Sequence, residues 1–188
     1  MTEIQDLYAR ALDDFGRTVH AVRDDQWTNP TPCSEWDVRA LVNHLVSETL
    51  WAPPLLDGRT IEEVGDRFDG DVLGDDPRAA WDAAAASARA AMTAPGAMDR
   101  TVHLSYGDSR ARDYAEEMFT DLVVHRWDLA RGIGADERME PEFVQRVYDA
   151  AAPHEAELKS SGLFGDAITP PDGADLQTRL LAVFGRVA

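Results

Sequence analysis

The chain has 188 residues, 44% hydrophobic and 28% charged, which suffices for one domain with a sizeable core and is short for two. Its net charge of −17 argues against nucleic acid and anionic membranes as partners, because both need basic patches. A single cysteine, Cys33, excludes an internal disulfide framework, and the acidic, amphipathic start carries no signal-peptide pattern, so a reducing cytoplasm is expected.

Thr2 followed by Gln5 forms a capping-box pattern. Ile4, Leu7, Tyr8, Ala11, Leu12, Phe15, Val19 and Val22 then recur at helical spacing and predict a long amphipathic helix with His20 on its surface. The stretch WTNPTPCSEW is a loop, since Pro30 and Pro32 forbid a continuing helix. Asp37 caps a second helix whose apolar stripe is Val38, Leu41, Val42, Leu45 and Val46. His44 stands at the edge of that stripe beside Glu48, a half-buried position able to line a pocket. Pro53 and Pro54 mark its exit.

Leu55 to Asp76 reads as a polar excursion with at most a short helix at Ile61 to Val64. Asp76 and Pro77 start a third long helix that is rich in alanine, which permits close approach of a neighbour. Thr101 to Tyr106 alternates as a short strand or extended linker before a turn at Gly107 and Asp108. Next comes YAEEMFTDLVVHRWDLARGIG, a helix apolar nearly all round, with Tyr114, Met118, Asp121, Leu122, His125 and Leu129 on one side. Pro141 opens a further helix, Gly162 to Pro171 is a loop, and Leu176, Leu180, Leu181 and Phe184 form a short last helix. The expected fold is all-α: a four-helix bundle over 1–134 with a C-terminal helical extension over 135–188, together one domain, with at most a minor strand near 101–106.

An acid and an imidazole on the inner face of a buried helix need compensation, because an unpaired buried carboxylate costs several kcal/mol. A hydrogen-bonded Asp121–His125 pair supplies it, and so does a shared cation. With His44 these residues make a two-histidine, one-carboxylate set, which suits a catalytic metal with an open position. Glu48 is a candidate fourth ligand, hydrogen-bond partner or catalytic base. Cys33 precedes a helix start and reads either as a reactive thiol or as a small buried hydrophobe. Asp128 either orients a ligand or pairs with Arg126 or Arg131. His103 faces the pocket or water, His154 belongs to a loop or helix start, and Trp36, Trp51 and Trp127 line a pocket or fill the core.

TPCSEWDVRALVNHLV, DLVVHRWDLARGIG and SGLFGDAITPPDGADLQTRLLAVFGR together resemble an actinobacterial metal-binding family. That family is related to the N-terminal domain of mycothiol-dependent maleylpyruvate isomerase, within the DinB-like four-helix superfamily. The resemblance implies a divalent-metal triad falling on His44, Asp121 and His125; the ligand set itself makes zinc the first choice and nickel or iron the alternatives. The isomerase has glutamate at the position of Asp121 and a further C-terminal domain. It also implies a mycothiol-like small thiol as cosubstrate in isomerase or S-transferase chemistry. A non-catalytic metal-binding or ligand-sensing bundle, or a metal-assisted hydrolase, would use the same residues. The expected partners are a small ligand or thiol, and the apolar helix faces leave a homodimer open.

Overall fold

Caps and stops written in the sequence set most of the element boundaries. The computed structural model describes residues 1–34, 36–154 and 168–188. Helix α1 spans Glu3–Ala21 and opens on the capping box, with the Thr2 backbone N–H donating to Gln5 Oε1 at 2.7 Å. Helix α2 spans Val38–Leu56, and Asp37 accepts from the Ala40 N–H at its start. A short α3 covers Ile61–Val64, as the sequence suggested. Helix α4 spans Pro77–Thr93 behind the Asp76 cap and the N1 proline. Strands β1 (Thr101–Leu104) and β2 (Gly107–Arg110) lead into α5, Ala111–Ile133, which stops at Gly134 in the left-handed conformation.

The four long helices form a ring in which α2 packs against α4 and α5, while α1 packs against the same two. Tyr8, Phe15, Leu41, Leu45, Trp81 and Trp127 are among the fully buried side chains at its centre. Close approach of α1 and α4 rests on Gly16, where a Cβ would lie 2.7 Å from Trp81 Nε1. Gln5 reaches across the same contact, its amide donating to the Met92 carbonyl at 2.7 Å. Helix α5 is buried on several sides, as its all-round apolarity required.

Two expectations are corrected. Helix α2 does not end at Pro53 but runs through Pro53 and Pro54 to Leu56. Each proline removes only its own N–H, and their carbonyls still accept from Asp57 and Arg59 in the closing turn. The segment after Thr101 is a two-stranded antiparallel hairpin rather than a lone strand. Its turn is Ser105–Tyr106, because Leu104 pairs with Gly107, whose φ of 128° suits glycine alone.

The contacts divide the chain into two compact units, Met1–Asp136 and Glu137–Ala188. In the second, α6 (Pro141–Ala151) packs against α7 (Leu176–Val183), which Asp175 caps. Gln177 joins the two ends of this unit, accepting from the Met139 N–H at 2.9 Å and donating to the Glu137 carbonyl at 3.0 Å. The expected loop from Gly162 lies outside the described residues as far as Ala167. Among the described residues, no helix is long and apolar enough to cross a membrane.

Candidate metal centre

Helices α2 and α5 are neighbours in the ring, and each carries part of the constellation. His125 follows Asp121 by one turn of α5, so both point the same way. His44 meets them from α2. Asp121 stands between the two imidazoles: His125 Nε2 is 3.3 Å from Oδ1 and His44 Nε2 is 3.3 Å from Oδ2. Ligand atoms of all three lie within 4.8 Å of one another. Around a tetrahedral ion with ligands at about 2.1 Å, donors stand ~3.4 Å apart. The observed spacing therefore matches that of a metal's ligand set as well as that of an ion pair.

One atom separates these two uses. Asp121 Oδ2 is buried and, although close to His44, accepts no hydrogen bond among the described residues. A buried oxygen without a donor is costly, and a cation is one way to satisfy it. Burial by itself would raise the Asp121 carboxyl, but His125 and then His44 hold it well below the usual carboxylate range. Burial likewise opposes charge on His125, yet Asp121, Asp128 and Cys33 together hold its imidazole well above the ordinary histidine value. Each group thus favours the charged form of the other.

Behind His125 lies a second layer that sequence reasoning left undecided. Asp128, fully buried, accepts from His125 Nδ1 at 2.9 Å. That bond fixes the proton on Nδ1 and turns Nε2 towards Asp121. Of the arginines named with it, Arg126 reaches Asp14 on α1 at 3.2 Å, and Arg131 lies over the Trp127 ring. Helical spacing of three between His125 and Asp128 was the available signal.

Cys33 is the larger surprise. Its Sγ donates to Asp128 Oδ2 at 3.2 Å and lies 3.7 Å from His125 Nδ1, so Cys33, His125 and Asp128 form a second group with metal-ligand atoms in reach. The loop carrying it is pinned to the C-terminal end of α5, where helix carbonyls lack intrahelical donors. Asn29 donates to the Gly132 carbonyl at 3.0 Å and Gln26 to the Ile133 carbonyl at 2.8 Å. Gly132 permits the fit, since a Cβ there would lie 3.1 Å from Val38 and 3.3 Å from the Pro30 carbonyl oxygen. The same loop lays Trp36 over both imidazoles, 4.5 Å from the His44 ring and 5.6 Å from that of His125.

Beside His44 opens a cleft of about 380 Å³ lined by Trp36, Ala40, Asn43, Ser47, Phe68, Asp69 and Gly70. The excursion after α3 forms its far wall and is held to α2 by Asn43, which donates to the Gly70 carbonyl and accepts from the Val72 N–H. Glu48 is half-buried near the site. Burial lifts its carboxyl, with Asp121 adding and His44 opposing. His103 does not join the constellation, because it pairs with Asp108 across the hairpin at 2.6 Å. His20 pairs with Asp82 on the bundle surface. Trp127 belongs to the core and Trp51 packs edge-on against Phe68.

Two proteins of Mycobacterium tuberculosis, named only "Uncharacterized protein Rv0738" (strain H37Rv) and "Uncharacterized protein MT0763" (strain CDC 1551), are similar to this chain. Each is 33% identical over 185 residues, covering 95% of both chains. No solved structure matches. Residues 8–130, which hold Cys33, His44, Glu48, Asp121, His125 and Asp128, match the mycothiol maleylpyruvate isomerase N-terminal domain, and the chain belongs to that family.

Proposed function

We propose that the protein binds a divalent metal through His44, Asp121 and His125 and uses it to activate a small thiol for isomerase or S-transferase chemistry. The observation that carries the metal is the Asp121 carboxylate, which stands between the two imidazole Nε2 atoms at ion-pair distance and whose Oδ2, facing His44, is buried and without a hydrogen bond among the described residues. Family membership supports the thiol. Zinc is the metal we expect, since two imidazoles and a carboxylate with an open position suit it. A bound divalent ion would lower the pKa of a coordinated thiol and present its thiolate to an electrophile.

The chain's own residues supply the rest. Asp128 holds the Nδ1 proton of His125 and keeps Nε2 directed at the site. Trp36 covers both imidazoles and limits access of water from that side. Glu48, with its carboxyl lifted by burial, is the candidate to take up and return a proton beside His44. The cleft's volume falls in the range of small-ligand sites.

Three measurements test this reading. Elemental analysis of protein purified without an added tag should find a stoichiometric divalent metal that His125→Ala loses. Cobalt-substituted protein titrated with 2-mercaptoethanol should change its d–d absorption; an unchanged spectrum removes the thiol. Turnover of thiol plus electrophile at equal rates by the wild type and His125→Ala would leave a non-catalytic bundle.

A further inference from the structure

Three hydroxyls inside the bundle have no hydrogen-bond partner among the described residues: Tyr8 on α1, Thr49 on α2 and Tyr114 on α5. Tyr8 and Thr49 are completely buried and Tyr114 is 5% exposed. A buried hydroxyl without a partner is costly, and native interiors rarely leave one. Here three helices each contribute one, and all three point to the same end of the bundle.

Arg100 brings the helix ends together there. It donates to the Leu56 carbonyl at the close of α2, and its own carbonyl accepts from the Ala111 N–H at the opening of α5. From the metal centre towards that end, Thr49 lies five residues beyond His44 and Tyr114 seven residues before Asp121, or about 7.5 and 10.5 Å along the two axes. Gln5 ties the start of α1 to Met92 near the end of α4, which sets Tyr8 at the same end. The two phenols lie within electrostatic reach of each other: burial raises the Tyr114 hydroxyl well above its ordinary value, and Tyr8 adds to the shift. Burial likewise raises Tyr8. Both phenols keep their protons and so can donate as well as accept.

The chemistry of the three groups narrows the occupant. Neutral hydroxyls bring no charge to hold a metal ion. An anion would find no free cation: the other groups acting on Tyr114 are Glu48, Glu117 and Tyr106, while Arg89, which acts on Tyr8, is engaged by Asp13. What remains is a neutral molecule that donates and accepts, small enough for an enclosed place. A buried water meets these terms, since it takes about three hydrogen bonds and folded interiors hold roughly one per 27 residues.

We infer that Tyr8, Thr49 and Tyr114 bind ordered water inside the bundle, at a site about two turns of α5 away from Asp121. The site needs neither the metal nor the thiol. Melting of the full chain is compared with that of Tyr8→Phe, Tyr114→Phe and Thr49→Val, each of which removes one hydroxyl and little volume. Each should lower the melting temperature by about 2–4 °C, because the water loses a partner. The double variant of both tyrosines should lose less than the sum of the singles, since one water serves both. A melting temperature raised by either tyrosine substitution would show an unpaired hydroxyl and overturn the site; additive losses would overturn the sharing. No shift in Thr49→Val would overturn the part given to Thr49. A high-resolution crystal structure of the unsubstituted chain gives an independent readout: a water oxygen should stand about 2.5–3.0 Å from both phenol oxygens. Phenols bonded directly to each other or to other protein groups, with no water between them, would overturn the inference.

Discussion

Asp128→Asn is the most discriminating perturbation of the site. The substitution keeps side-chain shape but removes the charge that accepts from both His125 Nδ1 and Cys33 Sγ. Because Asp128 is fully buried, no water stands ready to replace it. Loss of a carboxylate behind a metal-ligating histidine typically weakens metal binding by about 10–100-fold, or ~1.4–2.8 kcal/mol. Competition with a chromophoric chelator measures that directly. A pH series adds a test of cause. Burial lowers the His125 pKa, and Asp121 together with Asp128 more than reverses this, so the variant should hold its His125 proton less tightly. Proton competition then weakens in the variant as pH falls, and its deficit against the wild type should shrink. Equal affinities at high pH would refute the orienting role of Asp128, and a deficit that grows towards acid would refute the account of the proton.

Gly16→Ala should destabilise the bundle by about 1–3 kcal/mol in chemical denaturation, because the added methyl meets the buried Trp81 indole at 2.7 Å; an unchanged midpoint would count against that helix crossing. Gly132→Ala sets a helix-propensity gain of up to ~1 kcal/mol against three contacts of 3.1–3.3 Å, one of them to backbone. Crowding should win, lowering the melting temperature and weakening metal binding as the Cys33 loop shifts; a more stable protein with intact affinity would show the loop docks elsewhere. The metal-free protein should be most stable between about pH 4 and 6.5. Asp121, depressed on folding, contributes above its unfolded pKa and loses that contribution in acid; His125, raised, contributes fully below its unfolded pKa and less as pH climbs through its folded value. Zinc should abolish the alkaline decline in a melting series, since the ion replaces the proton, and a decline that persists would argue against binding at His125.

The bundle was legible because its signals are local. Apolar residues at helical spacing and the caps at Thr2, Asp37 and Asp76 each depend on residues within one turn. Local rules also explain the errors. Pro53 and Pro54 signal an exit, although a proline pair near a C-terminus forfeits donors without losing helical backbone angles. Glycine's freedom points to a turn at Gly107 and Asp108, yet Gly107 opens β2 and the turn falls on Ser105–Tyr106. Asp121 and His125 share one helix face and could be paired on sight. His44 needed the further step of setting α2 beside α5.

Cys33 lies 92 residues from His125, and no periodicity links them. What brings them together is a chain of weak local facts: Asn29 and Gln26 satisfying the last carbonyls of α5, Gly132 leaving space for Pro30, and Pro30 bridging to Asp37 at the start of α2. Each has a bland reading as loop chemistry. Jointly they tie the α2 cap to the α5 terminus, so one docking event sets Trp36 above the imidazoles and Cys33 behind Asp128. The loop is thus part of the site, although it contributes none of the three residues proposed to hold the metal.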